Sequence, residues 1–268
     1  GQDEDMTRQR DADVAIRCTD LSIARSSARG GVPARVVDGV DATLPHGGVL
    51  AVLGPTGAGK SSLAAVLAGS EEPSLAVVGG DALVEGIPVR RPGRAHRLHT
   101  YLTGYLAQGD GVRLPSRLTV GEVIASPVTS RDRRVNKRAL AIRVAALLDE
   151  LKLPLGMTVK YPYELSAGMR QRVAFARALM LQPRVLIADD LMSNLDVASR
   201  EAVLDAITRR RESYCMSTLL VGNDREAVDA LQAQVLVMRA GHVVAFGRSV
   251  GEVLWTPSGE ADRRLIAS

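Results

Sequence analysis

The stretch VLAVLGPTGAGKSSLAAVLAG, Val49 to Gly69, decides the fold. Its first part, Val49–Gly54, is an apolar run that predicts a buried β-strand. A glycine-rich turn follows, and the segment after it has the composition of an α-helix ending at Gly69. The turn satisfies the pattern G-x-x-x-x-G-K-[ST] in the strand-to-helix context that this pattern requires. It therefore predicts a phosphate-binding loop, in which successive backbone N–H groups face phosphates at the positive end of a helix.

The residues of this loop have separate predicted duties. Gly54, Gly57 and Gly59 allow backbone angles and close approaches that a Cβ atom would block. Lys60 supplies a cation to the β- and γ-phosphates, and the Ser61 hydroxyl is the expected Mg²⁺ ligand. The predicted nucleotide-binding set consists of Gly54, Pro55, Thr56, Gly57, Ala58, Gly59, Lys60, Ser61 and Ser62. The expected ligands are ATP and Mg²⁺.

A second stretch, RVLIADDLMSNLD from Arg184 to Asp196, places two carboxylates at the end of another apolar run. Such a run reads as a strand buried on both faces, ending at the binding edge of a parallel sheet. A P-loop site needs a carboxylate there to hold Mg²⁺, usually through water. Asp189 fits that role, with a helix N-cap as its structural alternative. Asp190 is the candidate general base.

The pattern along the chain predicts an α/β fold. VAIRCTDLSIA and ARVVDGVDATL resemble strands of an antiparallel pair, and strands alternate with helices again after residue 184. Between about 109 and 182 the pattern is helical, with Leu140, Val144, Leu147 and Leu151 on one face. The alternation implies a mostly parallel sheet flanked by helices and interrupted by a helical insert.

Composition narrows the class of protein. Cys18 and Cys215 are too few for a disulfide framework or a cysteine-based metal site. The formal charge is +4, with arginine clusters at 90–91 and 209–211. These clusters are either solvated faces or contacts for an acidic partner or a phospholipid surface. No run approaches the roughly 20 apolar residues of a membrane span, and no signal peptide opens the sequence. We expect a cytoplasmic protein.

A third motif, YELSAGMRQRVAFARALMLQP, reads as an amphipathic helix. Ser166 is a good N-cap residue, and Pro183 ends the helix. Its apolar stripe consists of Met169, Val173, Ala176 and Met180. By itself, this stretch is an ordinary amphipathic helix and indicates no particular function.

Together, however, the three motifs resemble ABC-type ATPases, whose signature sequence is close to LSGGQ. The matching residues are Leu165, Ser166, Ala167, Gly168 and Met169, with Ala167 in place of the usual first glycine. The resemblance implies a P-loop NTPase (RecA-like) core with an antiparallel β subdomain and an inserted α-helical subdomain. It also implies that the signature of one subunit closes over the nucleotide held by the P-loop of another.

The resemblance covers nearly the whole chain and assigns further residues. Gln108, in GYLAQGD, occupies the place of the Q-loop glutamine, which touches Mg²⁺ and faces the transmembrane partner. The predicted Mg²⁺ ligands are then Ser61, Gln108 and Asp189. The D-loop matches Ser193, Asn194, Leu195 and Asp196.

Finer similarity points to the ATPases of oligopeptide, dipeptide and nickel importers. Segments such as RLTVGEVI, VVDGVDATLPHGG and GHVVAFGRSVGEVLWTP look like their counterparts in that subgroup. The implied partners are a second ABC ATPase subunit, transmembrane permease subunits and an extracytoplasmic substrate-binding protein, with no nucleic acid. The implied location is peripheral, on the cytoplasmic face of the membrane.

Three departures fall on one functional surface. The residue after the magnesium aspartate is normally Glu, the base that aligns water, and Asp190 is one methylene shorter. A misplacement near 1 Å can cost on the order of 100-fold in rate. Asn223 replaces the H-loop histidine; it can hydrogen-bond a γ-phosphate but carries no proton or charge. The aromatic residue that stacks on adenine is absent, and Arg25 lies near its place, either stacking or solvated.

These departures predict a site that binds ATP and hydrolyses it slowly or not at all. The favoured arrangement is an asymmetric heterodimer, whose active site combines this chain's signature with a partner that carries the usual glutamate and histidine. Two alternatives stay open: a competent homodimer in which Asp190 suffices as base, and a non-transport regulatory or scaffold protein of the same type.

The predicted organisation has four parts. A disordered N-terminus covers 1–12, the ATPase core covers 13–108 and 183–247, the helical subdomain with the signature covers 109–182, and a C-terminal tail covers 248–268.

Overall fold

Two β-sheets enclose a central helix in the computed structural model, which describes residues 1–27 and 30–255. In chain order the strands are β1 (Val14–Arg25), β2 (Ala34–Pro45), β3 (Val49–Leu53), β4 (Leu75–Val84), β5 (Ile87–Pro88), β6 (Thr103–Leu106), β7 (Val185–Asp189), β8 (Ser217–Val221), β9 (Gln234–Arg239), β10 (His242–Gly247) and β11 (Val253–Trp255). One sheet has the order β2-β1-β4-β5, and the other has the order β11-β10-β9-β3-β8-β7-β6.

The smaller sheet is antiparallel throughout. Strand β1 pairs with β2 on one side, with Ile16 opposite Leu44, and with β4 on the other, with Ile16 opposite Val84. The predicted antiparallel pair is therefore confirmed, and β4 extends it.

The larger sheet contains the parallel core. Strands β9, β3, β8, β7 and β6 run parallel, while β10 and β11 add antiparallel pairs at one edge. All five residues of β3 and all five of β7 are buried, because both faces of this sheet are covered. The carboxyl ends of the parallel strands meet along one edge of the sheet.

Eight helices lie within the described residues. They are α1 (Gln2–Ala12), α2 (Lys60–Leu67), α3 (Arg94–Leu102), α4 (Val120–Thr129), α5 (Lys137–Glu150), α6 (Ala167–Leu179), α7 (Val197–Tyr214) and α8 (Arg225–Ala230), with short 3₁₀ turns at Leu155–Val159, Pro162–Glu164 and Val250–Glu252. Side-chain caps begin several of them: Asn136 accepts from the Ala139 N–H at 3.0 Å, and Asp196 accepts from the Ser199 N–H at 2.8 Å.

Alternating residues of the large sheet enter two apolar cores. Leu50 and Val52 pack with α2 and the small sheet, whereas Ala51 and Leu53 pack on the opposite side. The second core continues from that side of the sheet into helices α4, α5 and α6, where Phe175 is fully buried. The helical insert therefore shares one core with the sheet rather than enclosing its own.

Two boundary predictions differ from the structure. Residues Gln2–Ala12 form a helix where the sequence predicted disorder, and most of its side chains are exposed. The predicted tail begins at residue 248, but β11 pairs with β10 and extends the large sheet to Trp255. The rest of that predicted tail, 256–268, lies outside the described residues. Within the part of the chain that is described, no helix combines the length and apolarity needed to cross a bilayer.

Candidate functional site

Loops after β3, β8, β7 and β6 at the carboxyl edge of the parallel sheet contribute to a cleft of about 640 Å³. The loop after β3 contains the glycine-rich turn, the loop after β8 contains Asn223, and the loop after β7 begins with Asp190. Strand β8 lies between β3 and β7, so Asp189 belongs to the second strand along from the P-loop. Residues 56–62, Gln108, Asp189 and Asn223 all line this cleft.

The glycines of the P-loop are required by the packing around them. Gly54 has φ +146, and a Cβ atom on it would collide with the carbonyl oxygen of Met238 on β9. Gly59 has φ +95, and its Cβ would collide with the carbonyl oxygen of Val36 on β2. Only glycine combines such angles with such close approach. The loop is thus held between both sheets with its backbone open toward the cleft.

Gly54 is the centre of a small hydrogen-bond cluster. Its N–H donates to Asn223 Oδ1 at 3.1 Å, and its carbonyl oxygen accepts from Asn223 Nδ2 at 2.9 Å. Lys60 Nζ donates to the same carbonyl oxygen. Both polar atoms of the Asn223 amide are therefore engaged with the P-loop backbone, and Lys60 has a backbone acceptor.

Asp189 and Lys60 are opposite charges in a partly buried site. Burial lowers the pKa of Lys60, and the charges of Asp189 and Asp190 oppose that effect. Burial raises the pKa of Asp189 despite a hydrogen bond from the Ser61 hydroxyl and the charge of Lys60. The contact joins two of the predicted Mg²⁺ ligands, and their hard oxygen donors fit that ion.

Asp190 is an exposed residue in the left-handed backbone region, with φ +55. Aspartate is among the side chains that tolerate this conformation. Its N–H donates to the Val221 carbonyl at 2.9 Å, and its carbonyl accepts from the Ser193 N–H at 3.2 Å. The carboxylate lines the same cleft as Asp189 and Lys60.

Arg25 ends β1 at the rim of the cleft, and two serines hold its guanidinium. Nη2 donates to Ser62 Oγ at 3.3 Å, and Nη1 donates to Ser74 Oγ at 3.1 Å. Ser62 belongs to the P-loop helix, so Arg25 contacts the loop directly.

Gln108 lies in the loop after β6, with its side chain exposed toward the cleft. Its carbonyl oxygen accepts from Arg113 Nη2 at 2.6 Å. Asp110 fixes the same loop by accepting from the Ala107 N–H at 2.9 Å.

The signature and D-loop residues lie together and are not among the described lining of the cleft, although the Ser193 N–H donates to the carbonyl oxygen of Asp190, which does line it. The Ser166 hydroxyl accepts from the Met169 N–H at 3.2 Å and caps α6, as predicted. Ser166 and Ala167 are exposed, whereas Leu165 is buried. A Cβ atom on Gly168 would lie 2.7 Å from the carbonyl oxygen of Asn194, so signature and D-loop are in direct contact.

Two residues around the site escaped the sequence predictions. Gln171 on α6 is buried and donates to the carbonyl oxygens of Leu191 at 3.0 Å and Asp190 at 3.3 Å. A glutamine in a helix is only a weak sequence signal of a functional residue. The one clue to Gln171 is its position two residues after the signature. Val36 supports Gly59 through its backbone, which no sequence pattern reveals.

Comparison with known proteins gives consistent results. Residues 37–193 match the family described as ABC transporter. An oligopeptide transport ATP-binding protein, OppD of Mycobacterium bovis, is 34% identical over 267 residues, which is 96% of this chain and 42% of that protein. OppF of Salmonella typhimurium, also an oligopeptide transport ATP-binding protein, is 30% identical over 87% of this chain and 69% of its own length. This chain therefore spans less than half of the OppD relative.

Solved structures share the fold. A dimeric bacterial ABC transporter cassette superposes with a TM-score of 0.76 at 20% identity, covering 85% of this chain and 96% of that one. A dimeric ATP-binding cassette in a post-hydrolysis state with ADP and phosphate has the same TM-score at 19% identity.

Proposed function

This chain belongs to the ABC transporter family, and from that premise we propose that it is an ATP-binding subunit of a peptide-type importer. The oligopeptide relatives support the substrate class of the whole transporter, and the P-loop cleft supports ATP as ligand. Residues 56–62 would bind the phosphates, Ser61, Asp189 and Gln108 would hold Mg²⁺, and Arg25 would face the base. The Mg²⁺ would neutralise phosphate charge and shape the nucleotide for attack.

The proposed site is impaired in hydrolysis. The observation that carries this proposal is the engagement of both Asn223 amide atoms with Gly54, beside an Asp190 carboxylate one methylene shorter than glutamate. Asn223 carries no charge, and both its polar atoms are bonded to the P-loop backbone. It therefore stabilises the charge that develops on the γ-phosphate only weakly. A displaced base adds a loss on the order of 100-fold.

The motif residues of this chain would then divide between two nucleotide sites, its own and that of the partner subunit. At its own site Lys60 would exchange the Gly54 carbonyl for a phosphate oxygen, while Asn223 keeps that carbonyl satisfied. At the partner's site the exposed Ser166 and the signature backbone would face the partner's nucleotide. None of residues 165–169 is among the described lining of this chain's own cleft, which supports this division.

The proposed assembly is a pair of ABC ATPase subunits on permease subunits at the cytoplasmic face of the membrane. The second ATPase would carry glutamate and histidine at the positions of Asp190 and Asn223. An extracytoplasmic substrate-binding protein would deliver the peptide. Nucleotide binding would draw the two ATPase subunits together, and the helical segment would pass that movement to the permease.

A partner-free assay tests the impaired site. We expect the purified chain to bind ATP with Mg²⁺ and to turn it over at least about 100-fold more slowly than ordinary transporter ATPases. Lys60→Ala is the control for binding through the P-loop. Turnover near that of ordinary transporter ATPases from the pure chain would refute the impaired site and favour the competent homodimer.

A gain-of-function variant tests whether Asp190 and Asn223 are the cause of the impaired hydrolysis. Asp190→Glu combined with Asn223→His should raise turnover in the assembled complex, because both family side chains return to the cleft. If turnover does not rise, the impairment has a different origin. Recovery of the chain from native membranes without permease subunits would instead favour a regulatory or scaffold protein.

A further inference from the structure

The basic character of this chain is concentrated in two segments that the tertiary structure brings together. Segment 90–102 contains four arginines and no acidic residue, and segment 130–138 contains five basic residues and one aspartate. Their combined formal charge is +8, although the whole chain carries only +4. The remaining residues are therefore net acidic, and one surface accounts for the basic balance. We call residues 90–102 and 130–138 the basic surface.

Arg131 joins the two segments. Its Nη2 donates to Thr100 Oγ1 at 2.9 Å, and its Nη1 donates to the Arg97 carbonyl at 3.3 Å. Its guanidinium carbon lies 5.7 Å from the centre of the Tyr101 ring. The loop between α4 and α5 is thus attached to helix α3, and their charges form a continuous surface.

Helix α3 contributes an exposed stripe with mixed chemistry. Arg94, Arg97, Leu98 and Tyr101 follow helical spacing and are all exposed, Leu98 by 49% and Tyr101 by 47%. The opposite side of the helix holds His99, which is buried and contacts the Leu67 carbonyl at 2.7 Å. An arginine-rich stripe with an aliphatic and a tyrosine side chain resembles the face of helices that lie at a membrane interface.

The arginine side chains of this surface are largely unpaired. Within the described residues, Arg94, Arg97, Arg133 and Arg134 have no side-chain ion pair or hydrogen bond, and one carboxylate outside the surface, Glu71, contacts α3 through His96. The other cluster, 209–211, differs: Arg209 and Arg210 pair with Glu150, and Arg211 binds the carbonyl oxygens of Gly47 and Leu231. Cluster 209–211 therefore stabilises the fold, while the basic surface leaves its charges available.

We propose that the basic surface binds the anionic headgroups of a phospholipid bilayer. Arg90 and Arg91 border a pocket beside helix α2, but the unpaired Arg94, Arg97, Arg133 and Arg134 are not among its described lining. These four charges are spread over two segments, which suits a diffuse negative surface. Leu98 and Tyr101 can enter the headgroup region between the arginines. None of these residues is among the described lining of the nucleotide cleft, so their substitution leaves the residues that line the cleft unchanged.

Vesicle flotation with the 268-residue chain tests the proposal. We expect binding to vesicles containing about one-third phosphatidylglycerol, none to pure phosphatidylcholine, and loss between about 0.1 and 1 M salt as the Debye length shrinks from about 10 to 3 Å. Replacing Arg94, Arg97 and Arg133 together by alanine should weaken binding on the order of 100-fold. The matching lysine variant should restore it, because lysine keeps the charge.

A matched control removes three exposed arginines elsewhere. Arg8→Ala, Arg184→Ala and Arg225→Ala lower the net charge equally and should leave vesicle binding within about twofold of the unmodified chain. Failure of the unmodified chain to bind anionic vesicles, or equal losses in both triple variants, would overturn the proposal. Tighter binding to soluble polyglutamate or to nucleic acid than to vesicles would also overturn it. ATP binding by each variant reports separately on the nucleotide site and on correct folding.

Discussion

Asn223 contacts the backbone of Gly54 through both atoms of its amide, at 3.1 and 2.9 Å. An asparagine presents a donor and an acceptor side by side, which matches the N–H and C=O of one residue. A histidine has its two nitrogens on different edges of the ring and cannot make this pair. The residue at this position therefore orders the start of the P-loop before any phosphate is present.

This geometry predicts how nucleotide affinity depends on Asn223. Asn223→Ala should weaken the binding of ADP and of a non-hydrolysable ATP analogue by the same factor, about 30-fold, since two hydrogen bonds of about 1 kcal/mol each are lost. Equilibrium titration with both nucleotides measures the factors. A loss confined to the ATP analogue would assign Asn223 to the γ-phosphate instead.

The buried carboxylate of Asp189 predicts a pH-dependent stability. Burial raises its pKa, so the folded chain binds this proton more tightly than the unfolded chain. A raised carboxyl pKa means that folding stability falls as the pH rises through the folded-state value. The cost is absent only below the ordinary carboxyl pKa, where Asp189 is protonated in both the folded and the unfolded chain, and it is complete above the raised folded-state pKa.

Asp189→Asn should therefore melt at a higher temperature than the unmodified chain at pH 8, without nucleotide. The difference should shrink as the pH falls through the raised pKa. Thermal unfolding across the pH range measures it, with Asp205→Asn on the exposed side of α7 as control for loss of a charge. A difference that stays constant with pH would contradict the assignment.

At the scale of elements, the start of α6 is packed against the loop before α7. Gly168 leaves 2.7 Å between an added Cβ and the Asn194 carbonyl oxygen, whereas the neighbouring Ala167 is exposed. The two adjacent positions of the signature therefore differ in whether they can accommodate a Cβ atom, although the family usually has glycine at both.

Gly168→Ala should lower stability by about 1–3 kcal/mol and reduce partner-stimulated ATPase activity, because the D-loop must shift to admit the methyl group. Ala167→Gly is the matched control and should cost at most about 1 kcal/mol. Chemical denaturation and the ATPase rate of the reconstituted pair are the measurements. Equal effects of both substitutions would argue against contact between signature and D-loop.

The elements differ in how well their sequence predicts them. Strands β3 and β7 and helix α6 were predictable, because each has an uninterrupted apolar run or a cap followed by an apolar stripe. Helix α3 and strand β6 were not predicted. The one buried side chain of α3 is His99, whose pKa burial lowers and whose ring contacts Leu67, and no periodicity reports such a contact.

At the scale of the whole molecule, we expect the sheet and the helical insert to unfold together. The core that contains Phe175 also contains Leu53 of β3 and Ala188 of β7. A cavity in the insert is therefore also a cavity beside the strands that carry the P-loop and Asp189.

Phe175→Ala should cost about 3–5 kcal/mol and increase hydrogen exchange in β7 as well as in α6. Phe246 is the chain's other phenylalanine and is 57% exposed, so Phe246→Ala should cost less than about 1 kcal/mol. Hydrogen exchange measures the local effect of each variant, and chemical denaturation measures its free energy of unfolding. Faster exchange confined to 109–182 would show an insert that unfolds independently.

The sequence by itself determined the P-loop turn, the buried strand that ends at Asp189, the helix capped by Ser166 and the family, because each depends on local spacing and on residue types that few other arrangements use. Tertiary structure alone decided what depends on distant residues. It paired Asn223 with Gly54, placed Asn194 against Gly168 and brought two arginine-rich segments onto one surface. The physical reason is that hydrogen bonds and electrostatic fields depend on distance in space, and segments far apart in the chain meet only after the sheet has assembled.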